Sequence, residues 1–285
     1  MSNVLVTGGL GFIGSHLVDR LVKDHDVYVI DDCSTGSLMH INKKACTVVD
    51  YILGINEGFE FPDIDIIYHL AAESRIPPSL KYPRYTFRTN VMGTVDVCEF
   101  ARKQEKQCKV IYAGSCTAED KYLNPYALSK YQGEEVCKMY NKVYGVPVSI
   151  ARFFNVYGPR HYREGGHATV LGIFEKQYME EKSLTVTGSG SQRRDFIHVS
   201  DVVDGLIAIS ETECHGDIYN FGFGKSHAIL DIARMFNTDM EYIDQPSCEM
   251  YNVKADIDET VYKLRWIPKI KIEDYIKEFV DENRV

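Results

Sequence analysis

A glycine-rich segment, TGGLGFIG at residues 7–14, follows directly on the apolar run VLV and precedes an amphipathic stretch of helical length. Its glycines can be read with two spacings, Gly8, Gly11 and Gly14 or Gly9, Gly11 and Gly14. Glycine at such positions allows a tight turn, a close backbone approach to a bound group and close packing of helix on strand. The free N–H groups of the following helix favour a pyrophosphate. The segment therefore predicts a strand, a turn and a helix with a dinucleotide at the turn. A turn without a ligand is the alternative.

The first half of the chain alternates short β-rich runs with amphipathic stretches, the pattern of βαβ units and a parallel sheet. We predict an α/β fold with a doubly wound parallel sheet in a Rossmann domain at 1–158. A smaller C-terminal substrate-binding lobe follows at 159–285, with part of 193–224 returning to the first domain. The predicted strands are 4–7, 27–31, 47–49, 64–69, 109–113 and 146–153, and the predicted helices are 11–23, 84–104 and 125–144.

Asp31 ends the second predicted strand, where a carboxylate can accept hydrogen bonds from the hydroxyls of an adenine ribose. The same charge repels a 2′-phosphate, so the pattern favours NAD over NADP. Asp50 ends the third predicted strand and can reach the adenine edge. An exposed aspartate at a strand end is the alternative reading of Asp50.

Charge and hydropathy exclude several classes of partner. The 285 residues carry a net charge of −9, which argues against a nucleic-acid-binding surface, because affinity for phosphate backbones comes mainly from Lys and Arg. No apolar run approaches the roughly 18 residues that a membrane span needs. An anionic ligand must be held locally, and the basic candidates are Arg160, Arg163, Arg193 and Arg194.

The N-terminal sequence MSNVLVTGGLG has no secretory-signal pattern, so a cytoplasmic location is expected. Cysteines are scattered without a CxxC pair, which fits reduced thiols and predicts neither a disulfide framework nor a metal site. They are Cys33, Cys46, Cys98, Cys108, Cys116, Cys137, Cys214 and Cys248.

Tyr126 and Lys130 stand in the segment YALSK, on one face of a predicted helix. A lysine ammonium and an oxidised nicotinamide close by would stabilise the tyrosine phenolate, which can then take a proton from a sugar hydroxyl. Ser115 follows the apolar run VIYAG, at the carboxyl end of a predicted strand, and can bond the same hydroxyl. Asn90 can order the neighbouring structure, although a surface asparagine is the alternative.

Together these segments resemble the extended short-chain dehydrogenase/reductase family, in its NAD-dependent nucleotide-sugar epimerase/dehydratase branch. The resemblance covers nearly the whole chain. It is carried by TGGLGFIG, Asp31, HLAA at 69–72, Asn90, Ser115, YALSK, RFFNVYGPR at 152–160, QRRDFIHV at 192–199, YNFGFG at 219–224 and LRWIPK at 264–269.

The resemblance implies a set of functional residues. Ser115, Tyr126 and Lys130 resemble the catalytic triad, and Asn155, Arg194 and Thr117 correspond to substrate-binding positions, with Asn155 and Arg194 at the sugar diphosphate. It also implies a homodimer formed through the helices at 84–104 and 125–144. The implied NAD-binding residues are Gly8, Gly11, Phe12, Ile13, Gly14, Asp31, Asp50, Tyr51, Leu70, Ala71, Ala72, Asn90, Tyr126 and Lys130.

The residues after Ser115 bear on the reaction. The sugar 4,6-dehydratases of this family have an Asp-Glu pair directly after the catalytic Ser or Thr, and the decarboxylating members have a Glu two residues after their Thr. Here Cys116 and Thr117 occupy those positions. We therefore expect 4-epimerisation, in which NAD is regenerated in each turnover. The nucleotide is expected to be UDP by resemblance alone, and the sugar is not determined.

Two alternatives remain open. The segment between Ser115 and Tyr126 is shorter than is usual in the family, and Glu119 or Asp120 within it could act as an acid in a dehydratase or reductase. The chain could also be a non-catalytic regulatory protein that binds NAD.

Overall fold

The structure is a computed structural model that describes residues 1–56, 59–244 and 250–284. Its strands are β1 Asn3–Thr7, β2 Asp26–Asp31, β3 Cys46–Val49, β4 Ile66–His69, β5 Lys109–Ser115, β6 Val148–Phe153, β7 Asn155–Tyr157, β8 Leu184–Thr187, β9 Arg193–His198, β10 Ile218–Phe221, β11 Ser226–Ala228 and β12 Met240–Ile243. Its helices are α1 Phe12–Leu21, α2 Ile76–Lys81, α3 Pro83–Phe87, α4 Gly93–Arg102, α5 Pro125–Tyr144, α6 Val170–Met179, α7 Val199–Ser210, α8 Ile229–Met235, α9 Asp258–Leu264 and α10 Ile272–Glu282.

The chain divides into two compact units. The first contains Met1–Arg152 and Val203–Tyr219, and the second contains Phe153–Val202 and Asn220–Val285. The first unit thus ends before the expected boundary at 158. The segment that returns to it begins and ends within the 193–224 stretch named from the sequence.

A seven-stranded sheet forms the frame of the first unit, with the order β10-β6-β5-β4-β1-β2-β3. Neighbouring strands β1 and β2, β1 and β4, β2 and β3, and β4 and β5 are parallel. The strand order reverses between β1 and β4, and the crevice at the carboxyl ends of such strands is where doubly wound folds bind ligands. The predicted α/β class with a doubly wound, mostly parallel sheet is confirmed.

The central strands form because their residues are apolar and β-branched over nearly continuous runs. Val4, Leu5 and Val6 in β1 are fully buried, as is Ile67 in β4. Parallel strands covered by helices on both faces need such continuous apolar runs. A strand with one face exposed to solvent would instead alternate apolar and polar residues. All six predicted strands are present, with ends shifted by a few residues at most.

One predicted helix is wrong in its continuity. The single helix expected at 84–104 consists of α3, a π-helical segment at Arg88–Met92, and α4. Thr94 Oγ1 donates to the carbonyl oxygen of Asn90 at 2.7 Å, a side-chain bond that competes with regular helical bonding. π-helical turns occur often at functional sites, and this one carries Asn90.

The second unit has its own core, built around Phe174, Leu184, Phe196, Ile232 and Ile276, all nearly or fully buried. Strand β9 pairs antiparallel with β11 and parallel with β7, while β8 pairs parallel with β12. The strand pairs of this unit were not predicted from the sequence.

Among the described residues, the cysteines are free thiols, and Cys248 lies outside those residues. No helix in the described ranges is long and apolar enough to cross a membrane. The same ranges contain no group of three His, Cys, Asp or Glu side chains arranged to hold a metal ion.

Candidate active site

The turn after β1 is built from glycines at positions where the surrounding backbone leaves no room for a side chain. We call the concave backbone surface of this turn the cofactor cradle. Gly8 has a φ of +71°, and a Cβ on it would lie 2.7 Å from the backbone nitrogen of Ala71. A Cβ on Gly14 would collide with the carbonyl oxygen of Gly8. Helix α1 starts after Gly11, which provides no side-chain cap, so the first amides of the helix, at Phe12 and beyond, can serve an anion. The turn fits the pyrophosphate of a dinucleotide.

Asp31 ends β2 beside this turn and is 7% exposed. Its carboxylate accepts hydrogen bonds from the backbone nitrogens of Leu10 at 2.9 Å and Cys33 at 2.8 Å. Desolvation raises the Asp31 pKa, and these backbone bonds lower it. A Cβ on Gly36 would lie 2.8 Å from Asp31 Oδ1, so the chain passes close to the carboxylate. Asp31 therefore ties the glycine turn to the strand at which the ribose is expected.

Asp50 and Tyr51 lie next to Asp31. The Asp50 amide donates to the Asp31 carbonyl oxygen at 3.0 Å. Asp50 itself is exposed, and its Oδ1 accepts from the Tyr51 amide at 2.6 Å. The Tyr51 hydroxyl lies 2.6 Å from Thr89 Oγ1. Both predicted positions thus lie beside the end of β2, with Tyr51 fixed to the π-helical segment.

The segment Leu70, Ala71 and Ala72 follows β4 and is half-buried. It is fixed to the end of β1, because Thr7 Oγ1 accepts from the Ala71 amide at 3.1 Å and the Thr7 carbonyl oxygen accepts from the Leu70 amide at 3.1 Å. His69 Nδ1 lies 2.8 Å from Thr7 Oγ1. Burial, helped by the charge of Lys130, lowers the pKa of His69 to about 3, so this imidazole is neutral. These bonds fix the two strands at which the order of the sheet reverses.

Ser115, Tyr126 and Lys130 lie together at the carboxyl end of β5 and the start of α5. Ser115 Oγ lies 2.9 Å from Thr117 Oγ1, and its side chain is near enough to the Tyr126 phenol to lower the Tyr126 pKa. Desolvation raises the Tyr126 pKa, while the contact with Ser115 and the charge of Arg75 lower it. Lys130 is 3% exposed, and desolvation lowers its pKa to about 8. The arrangement brings a phenol, two hydroxyls and an ammonium into one site.

Local sequence fixes the start of α5. Asn124 caps the helix, since its Oδ1 accepts from the Ala127 amide at 2.9 Å, and Pro125 occupies the first turn. The Tyr126 amide donates to Ser79 Oγ of α2 at 3.2 Å. Helix α2 was not predicted from the sequence, and it holds the backbone of Tyr126 from outside α5.

Asn90 is 1% exposed and connects two segments of the site. Its Oδ1 accepts from the Glu73 amide at 2.7 Å, and its Nδ2 donates to the Glu73 carbonyl oxygen at 2.9 Å and to Ser129 Oγ at 2.9 Å. Ser129 in turn donates to the Tyr126 carbonyl oxygen at 2.8 Å. Because both Nδ2 hydrogens are used within the protein, the geometry favours the ordering role over a direct cofactor contact.

Several residues of the site were missed in the sequence, above all Ser79, Ser129 and Glu134. The only sequence signal for Glu134 is its position one helical turn after Lys130. The sequence contains no such signal for Ser79 or Ser129, because the residues that they contact are distant in the chain or on another element.

The two acids of the shortened segment are both exposed, on a 3-10 helix at Cys116–Asp120. Glu119 Oε1 lies 3.5 Å from Nη1 of Arg152. Cys116, directly after Ser115, is buried. The positions directly after Ser115 thus present a thiol and a hydroxyl.

In the second unit, Asn155 and Arg194 lie on the adjacent parallel strands β7 and β9. Asn155 Nδ2 donates to the Asp195 carbonyl oxygen at 3.1 Å, and Arg194 Nη1 donates to the carbonyl oxygens of Arg193 at 3.0 Å and Tyr251 at 3.3 Å. The fully buried Asp195 carboxylate accepts three backbone N–H bonds, from Phe223, Gly224 and Ala255. It fixes the backbone at Phe223–Gly224 and at Ala255 to β9, directly after Arg194.

The other basic candidates have structural partners or unusual backbone. Arg193 donates to the Ser226 carbonyl oxygen at 2.6 Å, and Arg163 donates to the buried Glu175 at 2.8 Å. Arg160 has a φ of +67°. The Arg194 guanidinium donates to two backbone carbonyl oxygens, those of Arg193 and Tyr251.

Comparison with known proteins assigns the chain to a family. Residues 4–222 match the NAD dependent epimerase/dehydratase family. The chain is 34% identical over 302 residues to a putative UDP-glucose 4-epimerase of Methanocaldococcus jannaschii, covering 98% of this chain and 97% of that protein. It is 29% identical to UDP-glucuronic acid decarboxylase 1 of Xenopus tropicalis, covering 95% of this chain and 69% of that protein.

A crystal structure of UDP-glucuronic acid 4-epimerase from Bacillus cereus, in complex with UDP-glucuronic acid and NAD, superposes with a TM-score of 0.88 at 28% identity, covering 99% of both chains. Motifs, fold and family match agree. The chain belongs to the NAD-dependent epimerase/dehydratase family of extended short-chain dehydrogenases/reductases, whose cofactor is NAD.

Proposed function

We propose that the protein is an NAD-dependent nucleotide-sugar 4-epimerase. One observation carries the proposal: Ser115, Tyr126 and Lys130 lie together, while the positions after Ser115 hold the Cys116 thiol and the Thr117 hydroxyl. Epimerisation needs one proton acceptor and a hydride carrier. Elimination of water needs a further acid and base, and the two positions directly after Ser115 supply no carboxylate for these roles.

In the proposed reaction Tyr126 takes the proton of the sugar C4 hydroxyl, and Ser115 holds that hydroxyl by a hydrogen bond. When bound, NAD would supply the redox chemistry as a hydride acceptor and donor, together with the positive charge of its oxidised nicotinamide. Burial raises the Tyr126 pKa, and the Arg75 charge and the contact with Ser115 only partly oppose it, so further positive charge is needed to stabilise the phenolate. Lys130 in its charged form meets this need, and Tyr126 returns the proton when C4 is reduced.

The cofactor would be held by the turn and strand ends already described. Gly8, Gly11 and Gly14 with the amides of Phe12 and Ile13 would hold the pyrophosphate. Asp31 would bind the adenine ribose, and its charge supports NAD over NADP. Asp50, Tyr51 and the segment Leu70, Ala71 and Ala72 would line the rest of the cradle, while Asn90 orders it.

For the substrate, we propose a UDP-sugar, because relatives with that substrate in their names match the chain over nearly its full length. Arg194 would grip the diphosphate through its planar guanidinium, and Asn155 would contact the same group. Thr117 would bond the sugar beside Ser115.

The test is an incubation with a panel of UDP-, dTDP- and GDP-sugars, followed by mass spectrometry and NMR of the products. An unchanged mass with inverted configuration at C4 is expected. Loss of water would identify a dehydratase, in which Glu119 or Asp120 supplies the acid. Loss of carbon dioxide from a uronate would identify a decarboxylase, as in the UDP-glucuronic acid decarboxylase relative. Tight NAD binding without any product would identify a regulatory binding protein.

We also propose a two-fold homodimer through the helices at 84–104 and 125–144, an isologous interface. The outer side of α5 exposes Met139, Val143 and Tyr144, at 41%, 61% and 52%. Val91, Val95 and Val136 are half-buried, and Val136 packs on the core of the first unit. Light scattering should give twice the mass of the chain at micromolar concentration, and Val143→Glu should shift it towards the monomer. A monomeric wild type would refute the proposal.

A further inference from the structure

A buried ion pair lies one helical turn beyond Lys130. Glu134 in α5 is fully buried, and its two carboxylate oxygens accept from Nε and Nη2 of Arg152 in β6 at 2.9 and 2.7 Å. Burial of a charge is costly, and a bidentate bond to arginine is the arrangement that makes a buried carboxylate tolerable. Because residues i and i+4 share a helix face, Glu134 lies on the same face as Lys130.

Gly114, the residue before Ser115 in β5, leaves the space that this pair occupies. A Cβ on Gly114 would lie 2.9 Å from Glu134 Oε1 and 3.2 Å from Arg152 Cγ. The ion pair therefore packs directly behind the strand end that presents Ser115. The ion pair thus lies next to the backbone that carries Ser115 and on the helix that carries Tyr126 and Lys130.

The other titratable groups around Lys130 come from three elements. Lys130 Nζ lies 4.5 Å from the centroid of the Tyr112 ring of β5, which in turn lies 5.6 Å from the His69 ring of β4. Cys137 follows on α5. Burial raises the pKa values of Tyr112 and Cys137 well above their ordinary values and lowers that of His69 to about 3.

These three groups are therefore neutral near pH 7, and the fourth, Tyr126, is the group that the proposed function assigns to Lys130 to assist. Burial lowers the pKa of Lys130, and the charge of Glu134 raises it. Among these neighbours, Glu134 is the carboxylate whose charge raises the Lys130 pKa, and the Arg152 guanidinium bonded to it carries the opposite charge.

We propose that Glu134, fixed by Arg152, is a positioning residue of the catalytic group: its carboxylate holds Lys130 in the charged form that assists Tyr126. The catalytic part of this inference rests on the proposed function. The electrostatic link between Glu134 and Lys130 is independent of which reaction the protein carries out.

The test measures Lys130 directly in the NAD-loaded protein. Lysine labelled with ¹³C gives a resonance of the Lys130 side chain, assigned by its loss in Lys130→Met, and its shift is followed with pH. Glu134→Gln should lower the titration midpoint by about one pH unit or more, because an opposite charge at this range favours the charged form. The alkaline limb of the profile of kcat against pH should shift to lower pH by the same amount. Glu135→Gln, which changes an exposed glutamate paired with Lys138, is the matched control and should leave both unchanged.

Glu134→Gln alone leaves Arg152 without its buried partner and could unfold the protein. The double variant Glu134→Gln/Arg152→Gln removes both charges, and it should show a fall in the Lys130 midpoint in the same direction but smaller, because loss of the Arg152 charge acts the opposite way. An unchanged midpoint in either folded variant overturns the inference, and so does a lowered midpoint with an unmoved alkaline limb. A lowered midpoint in a protein that makes no epimer from any sugar would refute the proposed function while supporting the link between Glu134 and Lys130.

Discussion

The side-chain amide of Asn90 donates to Ser129 Oγ at 2.9 Å, and through Ser129 it supports the backbone of Tyr126. The same amide group holds both the N–H and the carbonyl oxygen of Glu73. One buried asparagine thus links the loop after β4 to the first turn of α5. The tyrosine that we propose as the base is thus supported by a residue that need not touch the substrate.

Asn90→Ala should therefore cost both stability and turnover. Each buried polar group left without a partner costs about 1–3 kcal/mol, so thermal or urea unfolding should show a loss of at least that size. We expect kcat to fall more than the substrate KM rises, since the substrate contacts remain. Asn56→Ala, which removes an exposed amide bonded to the Asp96 carbonyl oxygen, is the control and should change little. A fully active, fully stable Asn90→Ala protein would contradict the positioning role.

Tyr126→Phe should abolish turnover without unfolding the protein or emptying the cofactor site. Phenylalanine keeps the ring and removes only the hydroxyl that accepts the proton. General-base catalysis contributes roughly 10²–10⁴-fold, and kcat should fall by that factor at unchanged NAD content. Lys130→Met should lower kcat as well. Tyr131→Phe on the same helix is the control, and retention of more than about a tenth of kcat in Tyr126→Phe would move the base elsewhere.

Arg194→Ala should raise the substrate KM while NAD content stays intact. Loss of a charge-assisted bond to phosphate costs about 1.5–3 kcal/mol, roughly a ten- to hundred-fold change in affinity. Steady-state kinetics with the best sugar of the panel provides the measurement. Arg234→Ala, at an exposed arginine paired with Asp231, should leave KM at the wild-type value. An unchanged KM in Arg194→Ala would return Arg194 to a structural role.

His69 should make the fold sensitive to acid. Its native pKa of about 3 lies below the unfolded value near 6.5, so between these values the unfolded chain binds a proton that the native protein does not. Stability from this group is therefore complete above about pH 6.5 and falls by about 1.4 kcal/mol per pH unit as the pH drops. Urea unfolding from pH 7 to 4 should show a steeper loss for wild type than for His69→Gln. His215→Gln, at an exposed histidine, should keep the wild-type slope, and equal slopes for wild type and His69→Gln would contradict this assignment.

Much of the first unit could be predicted from the sequence because its signals are local. The apolar runs of β1 and β5 and the glycine spacing after β1 act within a few residues, and so does the Asn124-Pro125 start of α5. Asp31 was placed by the same logic, since it ends a strand whose neighbour carries the glycine turn. These features depend on secondary-structure propensity, the periodicity of apolar residues and turn chemistry, all of which can be read from the local sequence.

Only the tertiary structure decided the rest. The π-helical turn at Arg88–Met92, the role of Ser79 and the chain of bonds from Asn90 to Tyr126 join residues that are distant in sequence. The ion pair of Glu134 and Arg152 exists because α5 packs against β5 at Gly114 and because β6 lies beside β5. Buried polar groups form hydrogen bonds with the partners that the fold brings near them. The periodicity of the sequence does not identify those partners. The sequence determined the main strands of the first unit and the residues that we propose to carry the chemistry, whereas packing decided how those residues are held and charged.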